Sequence, residues 1–164
     1  MGRLIKDVAR EDAEAILDEY WDGTFPVDPV NIATQMGIGV WEADLPAEVS
    51  GQLVRDGVAT MGKIYLNRSE SVTRRTFTCA HEIGHWVDRQ HHDDKEYAFV
   101  DYRDASQKPD EAEEWYADHF AANLLMPADE FNELCGLNFS VSELAYYFAV
   151  SPAAVRVRLR SLGR

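Results

Sequence analysis

Residues 81 to 85 read His81-Glu82-Ile83-Gly84-His85, which is the pattern H-E-x-x-H. Residues four apart lie on the same face of an α-helix, so both imidazoles can reach one metal ion. Glu82 follows the first histidine and can hold a water molecule beside that ion as a general base. Two imidazoles, Zn²⁺ and a carboxylate base supply most of what hydrolysis of a peptide bond requires. The motif therefore predicts a zinc-dependent hydrolase, against the alternatives of a solvated surface helix or a structural metal clip.

The residues around the motif predict that it lies on a long helix over 69–90. Ser69 or Ser71 can cap the start of this helix. An apolar stripe recurs at helical spacing: Phe77, Ala80, Ile83, Gly84 and Val87. Glycine costs about 1 kcal/mol relative to alanine inside a helix. We therefore expect Gly84 where a side chain would collide with the sheet or with the floor of the metal site.

A third protein ligand must come from another segment, because a catalytic zinc site usually has three protein ligands and one open position. A second helix is predicted over residues 110–126, ending at Pro127, and its acids are the candidates: Asp110, Glu111, Glu113, Glu114 and Asp118. Among the glutamates, only Glu114 has another acid four residues later. A metal-bound histidine normally donates its other N–H to a carboxylate. We therefore predict Glu114 as the third ligand and Asp118 as the partner of His81, rather than an ordinary acidic helix face.

Two blocks of the sequence resemble the signature motifs of the ImmA/IrrE metallopeptidases. They read FTCAHEIGH over 77–85 and EWYADHFAANLLMP over 114–127. Residues 28–40 and 148–163 are similar to that family too, so the resemblance covers most of the chain. It implies a zincin-like fold of the thermolysin kind, a gluzincin, with His, His and Glu as ligands. It also implies that the protein cleaves a helix-turn-helix repressor or antitoxin and so turns on the genes that this partner silences.

The two cysteines are expected to be reduced thiols. Cys79 departs from the family pattern, in which an aliphatic residue is more usual, and its place on the motif helix predicts core packing rather than metal ligation. Cys79 and Cys135 are too few for a disulfide framework. Residues 1–6 lack the apolar segment of an export signal, and no stretch approaches the ~20 apolar residues of a membrane span. We therefore expect a cytoplasmic protein without a membrane partner.

The net charge of −13 opposes an approach to nucleic acid. The last 24 residues carry the one basic cluster: Arg156, Arg158, Arg160 and Arg164. They also read as helix, turn and helix, since Ser151 can cap a helix that has Pro152 at its first position. This shape is a hint of DNA binding. Four arginines do not offset the acidic chain, so we favour a helical tail that packs on the core or grips a protein partner.

The remaining patterns predict an α+β fold. Helices are expected over 7–20 and 29–36, and short strands over 38–43, 50–55 and 59–67. Asp56-Gly57 is a strong hairpin signal, so we expect a small three-stranded sheet of the antiparallel type. Residues 90–109 are irregular and should border the cleft. We expect the chain to be divided into a metallopeptidase domain over 1–136 and a helical tail over 137–164.

The predicted mechanism is metal-assisted hydrolysis with Glu82 as general base. The sequence leaves the group that stabilises the oxyanion open among four residues: Tyr97, Tyr102, Arg103 and His119. An extended substrate could pair with the edge of the sheet. Two alternatives stay open beside an endopeptidase: a metal-containing regulatory or DNA-binding protein without proteolysis, and a zinc hydrolase of small peptides.

Overall fold

The computed structural model describes residues 4–55, 61–90, 99–102 and 111–164. Seven helices and four strands follow one another in the described ranges: α1 Ile5–Tyr20, α2 Pro29–Gln35, β1 Gly39–Ala43, β2 Gly51–Arg55, β3 Lys63–Asn67, α3 Val72–Gln90, β4 Phe99–Tyr102, α4 Glu111–Leu125, α5 Ala128–Gly136, α6 Val141–Phe148 and α7 Pro152–Ser161. The α+β class is confirmed. The turn expected at Asp56-Gly57 lies outside the described residues.

The sheet is mixed and has four strands in the order β1-β3-β2-β4. β2 pairs antiparallel with both β3 and β4, whereas β1 pairs parallel with β3. The sheet therefore has four strands where three were expected, and it is mixed where an antiparallel type was expected. β4 comes from the stretch that was expected to be irregular, and β3 lies between β1 and β2.

Asn67, at the end of β3, ties the connection between β1 and β2 to the strand that lies between them. Its side-chain amide donates to the carbonyls of Leu45, Pro46 and Val49 at 3.3, 3.1 and 2.9 Å. These three carbonyls belong to the connection between β1 and β2. The connection is therefore held against the end of β3, and β2 enters the sheet on the far side of that strand.

Helix α3 is the centre of the core. Every residue from Thr78 to Val87 is buried, because the helix has packing partners around its whole circumference at this level. The strands contribute Leu53 and Ile64, and α4 contributes Phe120 and Leu124, all of them fully buried. An amphipathic stripe was expected for α3, but the motif region is enclosed on all sides.

Both C-terminal helices, α6 and α7, are capped by a serine, and the cap of α7 is the one that its sequence predicts. Ser140 forms a capping box with Glu143 at the start of α6, and the Ser151 hydroxyl accepts from the Ala154 N–H at the start of α7. Four apolar residues of this segment belong to the same buried cluster as α3 and α4: Leu144, Phe148, Val150 and Val155. Among the described helices, none is both long enough and apolar enough to cross a membrane.

Candidate metal centre

Helices α3 and α4 bring together His81, His85 and Glu114. One nitrogen or oxygen atom from each of these residues lies within 4.8 Å of the others. Nε2 of His85 lies 2.9 Å from Nε2 of His81 and 2.9 Å from Oε1 of Glu114. Nε2 of His81 lies 3.4 Å from Oε2 of Glu114. Three donor atoms therefore converge on one point. They come from α3 and α4, between which the chain forms the strand β4.

Gly84 allows the two helices to approach closely enough for this convergence. A Cβ atom at Gly84 would lie 3.1 Å from the Cα of Ala117 and 3.1 Å from Cδ1 of Phe120. Such distances are shorter than ordinary carbon contacts. The residue was expected to meet the sheet or the floor of the metal site. Its actual neighbour is α4, the helix that carries Glu114.

Asp118 lies on the other side of the His81 ring. Its Oδ1 is 2.8 Å from Nδ1 of His81, so a proton on Nδ1 is donated to the carboxylate. Nε2 is then left with its lone pair pointing toward His85 and Glu114. The carboxylate thus selects the tautomer of His81 that a metal ion requires.

The electrostatics of Glu114 keep its carboxylate charged. Partial burial raises the pKa of this group, but hydrogen bonds and charge interactions with His81 and His85 outweigh that effect and leave the pKa well below its usual range. Glu114 is therefore an anion at neutral pH, as a ligand of a cation must be.

Glu82 is fully buried one residue after His81. The first residue of β2 lies against it: a Cβ atom at Gly51 would be 3.4 Å from Oε1 of Glu82 and 2.4 Å from Cγ2 of Thr78. Gly51 thus lets a strand backbone lie beside the carboxylate. Sequence reasoning missed this residue, although a glycine inside a strand pattern is a known sign of close backbone approach.

The other candidates from the sequence lie elsewhere or outside the described residues. Glu111 is exposed, and Glu113 does not join the cluster of possible ligands. Cys79 is a buried free thiol whose pKa is raised by burial, in agreement with core packing. His119 is half-buried on α4, and burial lowers its pKa. Four candidates lie where the side chains are not described: Tyr97, Tyr102, Arg103 and Asp110.

The donor set fits a divalent transition metal. Two neutral imidazoles and one carboxylate are ligands that zinc accepts, and a site with three protein ligands leaves a position for water or substrate. His81, His85 and Glu114 could hold such an ion. A carboxylate next to this site, Glu82, can accept and return a proton.

Comparison with known proteins agrees with this geometry. A family model described as the IrrE N-terminal-like domain, peptidase M78, matches residues 33–160, which include both site helices. The fold is similar to that of a solved structure named Mycobacterium tuberculosis transcriptional regulator, with a TM-score of 0.64 and 19% sequence identity. The match covers 98% of this chain and 51% of that chain, so this chain spans about half the length of its neighbour. A search of curated proteins finds no match.

Proposed function

The chain belongs to the peptidase M78 family of IrrE N-terminal-like domains, which are metal-dependent peptidases, and on that premise we propose that it is a zinc-dependent endopeptidase. The observation that carries this proposal is the convergence of His81, His85 and Glu114 within 4.8 Å of one another. In this proposal all three are the zinc ligands. Asp118 orients His81 through its Nδ1.

Glu82 is the general base of the proposed reaction. A metal ion held by His81, His85 and Glu114 would supply Lewis-acid chemistry to the site and would make water there easier to deprotonate. Glu82 then takes the proton of the attacking water and later gives it to the leaving amine. Its place directly after His81 in the helix supports this role, because it puts the carboxylate next to the candidate metal ligands.

The proposed substrate is a helix-turn-helix repressor or antitoxin that loses its function when it is cut. The family supports a protein substrate, and the solved neighbour is named a transcriptional regulator. We place the reaction in the cytoplasm, which agrees with the two free cysteines. We also propose that residues 1–136 form the peptidase domain and that 137–164 form a tail on the same unit.

The experiment that tests this function is cleavage by the Glu82→Gln protein. The substitution keeps the size and shape of the side chain but removes the base, so zinc should stay bound while cleavage falls by about 10²–10⁴-fold or more. The substrate to use is a candidate helix-turn-helix repressor or antitoxin, with fragments identified by mass spectrometry. Glu111→Gln, at an exposed position of α4, is the matched control and should cleave normally. An active Glu82→Gln protein contradicts the mechanism.

A second candidate function is a regulator that binds DNA and does not cleave proteins. The helix-turn-helix-like pair α6 and α7 favours it, and so does the name of the solved neighbour. A sequence-selective DNA complex at physiological salt, together with no cleavage by wild-type protein, would establish this alternative. We expect instead only weak binding whose affinity falls steeply as salt rises, because the net charge of −13 opposes approach to phosphate.

A hydrolase of small peptides would cut short peptides and spare the intact repressor.

A further inference from the structure

Thr78 is a buried polar residue that the proposed mechanism does not use. It lies on α3 three residues before His81, and its side chain is fully buried. Its hydroxyl oxygen, Oγ1, has no hydrogen-bond partner in the described part of the chain. A threonine inside a helix ordinarily donates to the carbonyl three or four residues earlier, here that of Arg75 or Arg74. The hydroxyl of Thr78 makes neither bond, and an unpaired buried donor is costly enough to require an explanation.

The position of Thr78 on α3 places it on the face that carries the candidate site. At about 100° per residue, Thr78 lies about 20° around the helix from His85 and about 40° from Glu82. Side chains of a helix lean toward its N-terminus and cover the residues three and four positions earlier. The side chain of Glu82 therefore leans over the turn that contains Thr78.

The first residue of β2 shows that Thr78 and Glu82 adjoin the same strand backbone. A Cβ atom at Gly51 would lie 2.4 Å from Cγ2 of Thr78 and 3.4 Å from Oε1 of Glu82. The methyl group and the carboxylate oxygen are therefore at most about 6 Å apart, which is about the span of two hydrogen bonds through one water molecule. The hydroxyl of Thr78 is bonded to the same carbon atom as this methyl group. A donor without a protein partner thus lies close to a buried carboxylate.

A buried water molecule is the ordinary partner of such a hydroxyl. Buried waters typically make about three hydrogen bonds, and they make them to polar groups that the protein itself leaves unpaired. A water molecule between the two side chains would accept from the hydroxyl of Thr78 and donate to the carboxylate of Glu82. Hydrogen bonds to an ionised carboxylate are stronger than those between neutral groups, so this arrangement favours the carboxylate as the acceptor.

We propose that Thr78 is a positioning residue for Glu82, because its hydroxyl holds a water molecule that donates to the carboxylate and fixes its orientation. This inference rests on the proposed function and adds to it a residue that acts through the general base. A glutamate side chain has several rotatable bonds, whereas a general base must stay within hydrogen-bond reach of the proton that it accepts. A hydrogen bond behind the carboxylate limits the orientations that the side chain can take.

Kinetics of Thr78→Val test the positioning role. The substitution removes the hydroxyl and keeps the shape of the side chain. With the candidate repressor used for Glu82→Gln, we expect kcat to fall about tenfold or more while KM is unchanged, because the carboxylate is no longer held in place. Thr78→Ser restores the hydroxyl and should recover most of the wild-type kcat. Thr76→Val, at a partly buried threonine about 120° around α3 from Glu82, is the matched control and should cleave at the wild-type rate.

The stability and metal content of Thr78→Val separate positioning from packing. The midpoint of urea unfolding should be equal to or above that of the wild type, because the hydroxyl has no protein partner to lose. Zinc should stay at about one per chain. A wild-type kcat in Thr78→Val would overturn the proposal and leave the hydroxyl without a function. A loss of kcat that Thr78→Ser does not recover, together with lower stability and less zinc in both variants, would assign Thr78 to packing alone.

A crystal structure of the full chain tests the contact without any cleavage. We expect an ordered water molecule within hydrogen-bond distance of Oγ1 of Thr78 and of the Glu82 carboxylate, and its absence in Thr78→Val. A hydroxyl bonded to the carbonyl of Arg74, with no water beside it, would overturn the inference whatever the activity. Wild-type protein that contains this water but cleaves no protein would refute the proposed function and leave the contact between Thr78 and Glu82 established.

Discussion

At the scale of single residues, His81 shows how two contacts on one imidazole ring orient a candidate metal ligand. Nδ1 lies 2.8 Å from Asp118, and Nε2 lies 3.4 Å from Glu114. The first contact selects the tautomer, and the second places the lone pair at the point where the donor atoms converge. The proposed roles of the two carboxylates can be tested independently, because Glu114 is proposed to bind the ion and Asp118 to act through the histidine.

Removal of Glu114 should remove the metal. Wild-type protein is expected to carry about one zinc per chain, and Glu114→Ala should lose most of it because two imidazoles alone form a weak site. Glu111→Ala, which changes an exposed acid one turn earlier on the same helix, should keep full occupancy. Elemental analysis after dialysis against a weak chelator gives the measurement. Full zinc in Glu114→Ala would show that another residue is the third ligand.

Asp118→Asn should have a milder effect. The amide oxygen still accepts from Nδ1 but carries no charge and makes the imidazole a weaker ligand, so we expect zinc affinity or activity to fall by about 10–100-fold, as is typical when the partner of a metal-bound histidine is lost. Competition with a chromogenic chelator measures the affinity. Asp129→Asn, at an exposed position on α5, serves as the control. Unchanged affinity and activity in Asp118→Asn would mean that its contact with His81 does not support the metal.

At the scale of elements, the packing of α3 on α4 depends on a glycine in the middle of a helix. The lower helix propensity of Gly84 is offset by the closer contact that it permits with Ala117 and Phe120. The same contact aligns His85 with Glu114 and His81 with Asp118. The site is thus a property of the helix pair rather than of either helix alone.

Gly84→Ala is expected to destabilise the protein although alanine is the better helix former. The added Cβ would lie 3.1 Å from the backbone of Ala117, and relief of such overpacking costs about 1–3 kcal/mol. Gly136→Ala, at the end of α5 where nothing lies within 4 Å, should be neutral or stabilise by about 0.4–1 kcal/mol. Urea unfolding of both variants is the measurement. Equal stability of Gly84→Ala and wild-type protein would contradict the role assigned to this contact.

At the scale of the whole molecule, a buried arginine joins the C-terminal helices to the site helix. Arg158 is 4% exposed, and it donates to the carbonyl of Met126 and to Oδ1 of Asn123, each at 3.0 Å. Burial lowers its pKa to about 10, so it remains charged at neutral pH. One of the four arginines that suggested a basic tail therefore holds the tail against α4 and is unavailable for DNA.

Arg158→Met should weaken the attachment of α7. The substitution leaves two buried acceptors without their donor, and such a loss costs about 1–3 kcal/mol. Arg156→Met changes an exposed neighbour on the same helix and should alter stability by no more than about 0.5 kcal/mol. Thermal unfolding and hydrogen exchange in α7 compare the two proteins. Equal stability of the two variants would show that the buried hydrogen bonds contribute little.

Local spacing along the chain was enough to predict several features of the site. Helical periodicity placed His81 and His85 on one face and predicted Glu114 and Asp118 as a pair one turn apart, and serine with proline marked the start of α7. The structure brings these four site residues together. Such features were predictable because the period of a helix is a property of a few consecutive residues.

Other features depend on partners that are far apart in the chain, and they became visible only in the folded molecule. They are the insertion of β3 between β1 and β2, the pairing of β4, the contact of Gly84 with α4, the approach of Gly51 to Glu82 and the burial of Arg158. A strand pattern states which side chains face one way, but it does not state which strand lies next to it. Likewise, an arginine in a helix looks the same in sequence whether solvent or two buried acceptors surround it, because its environment is supplied by residues 30 or more positions away.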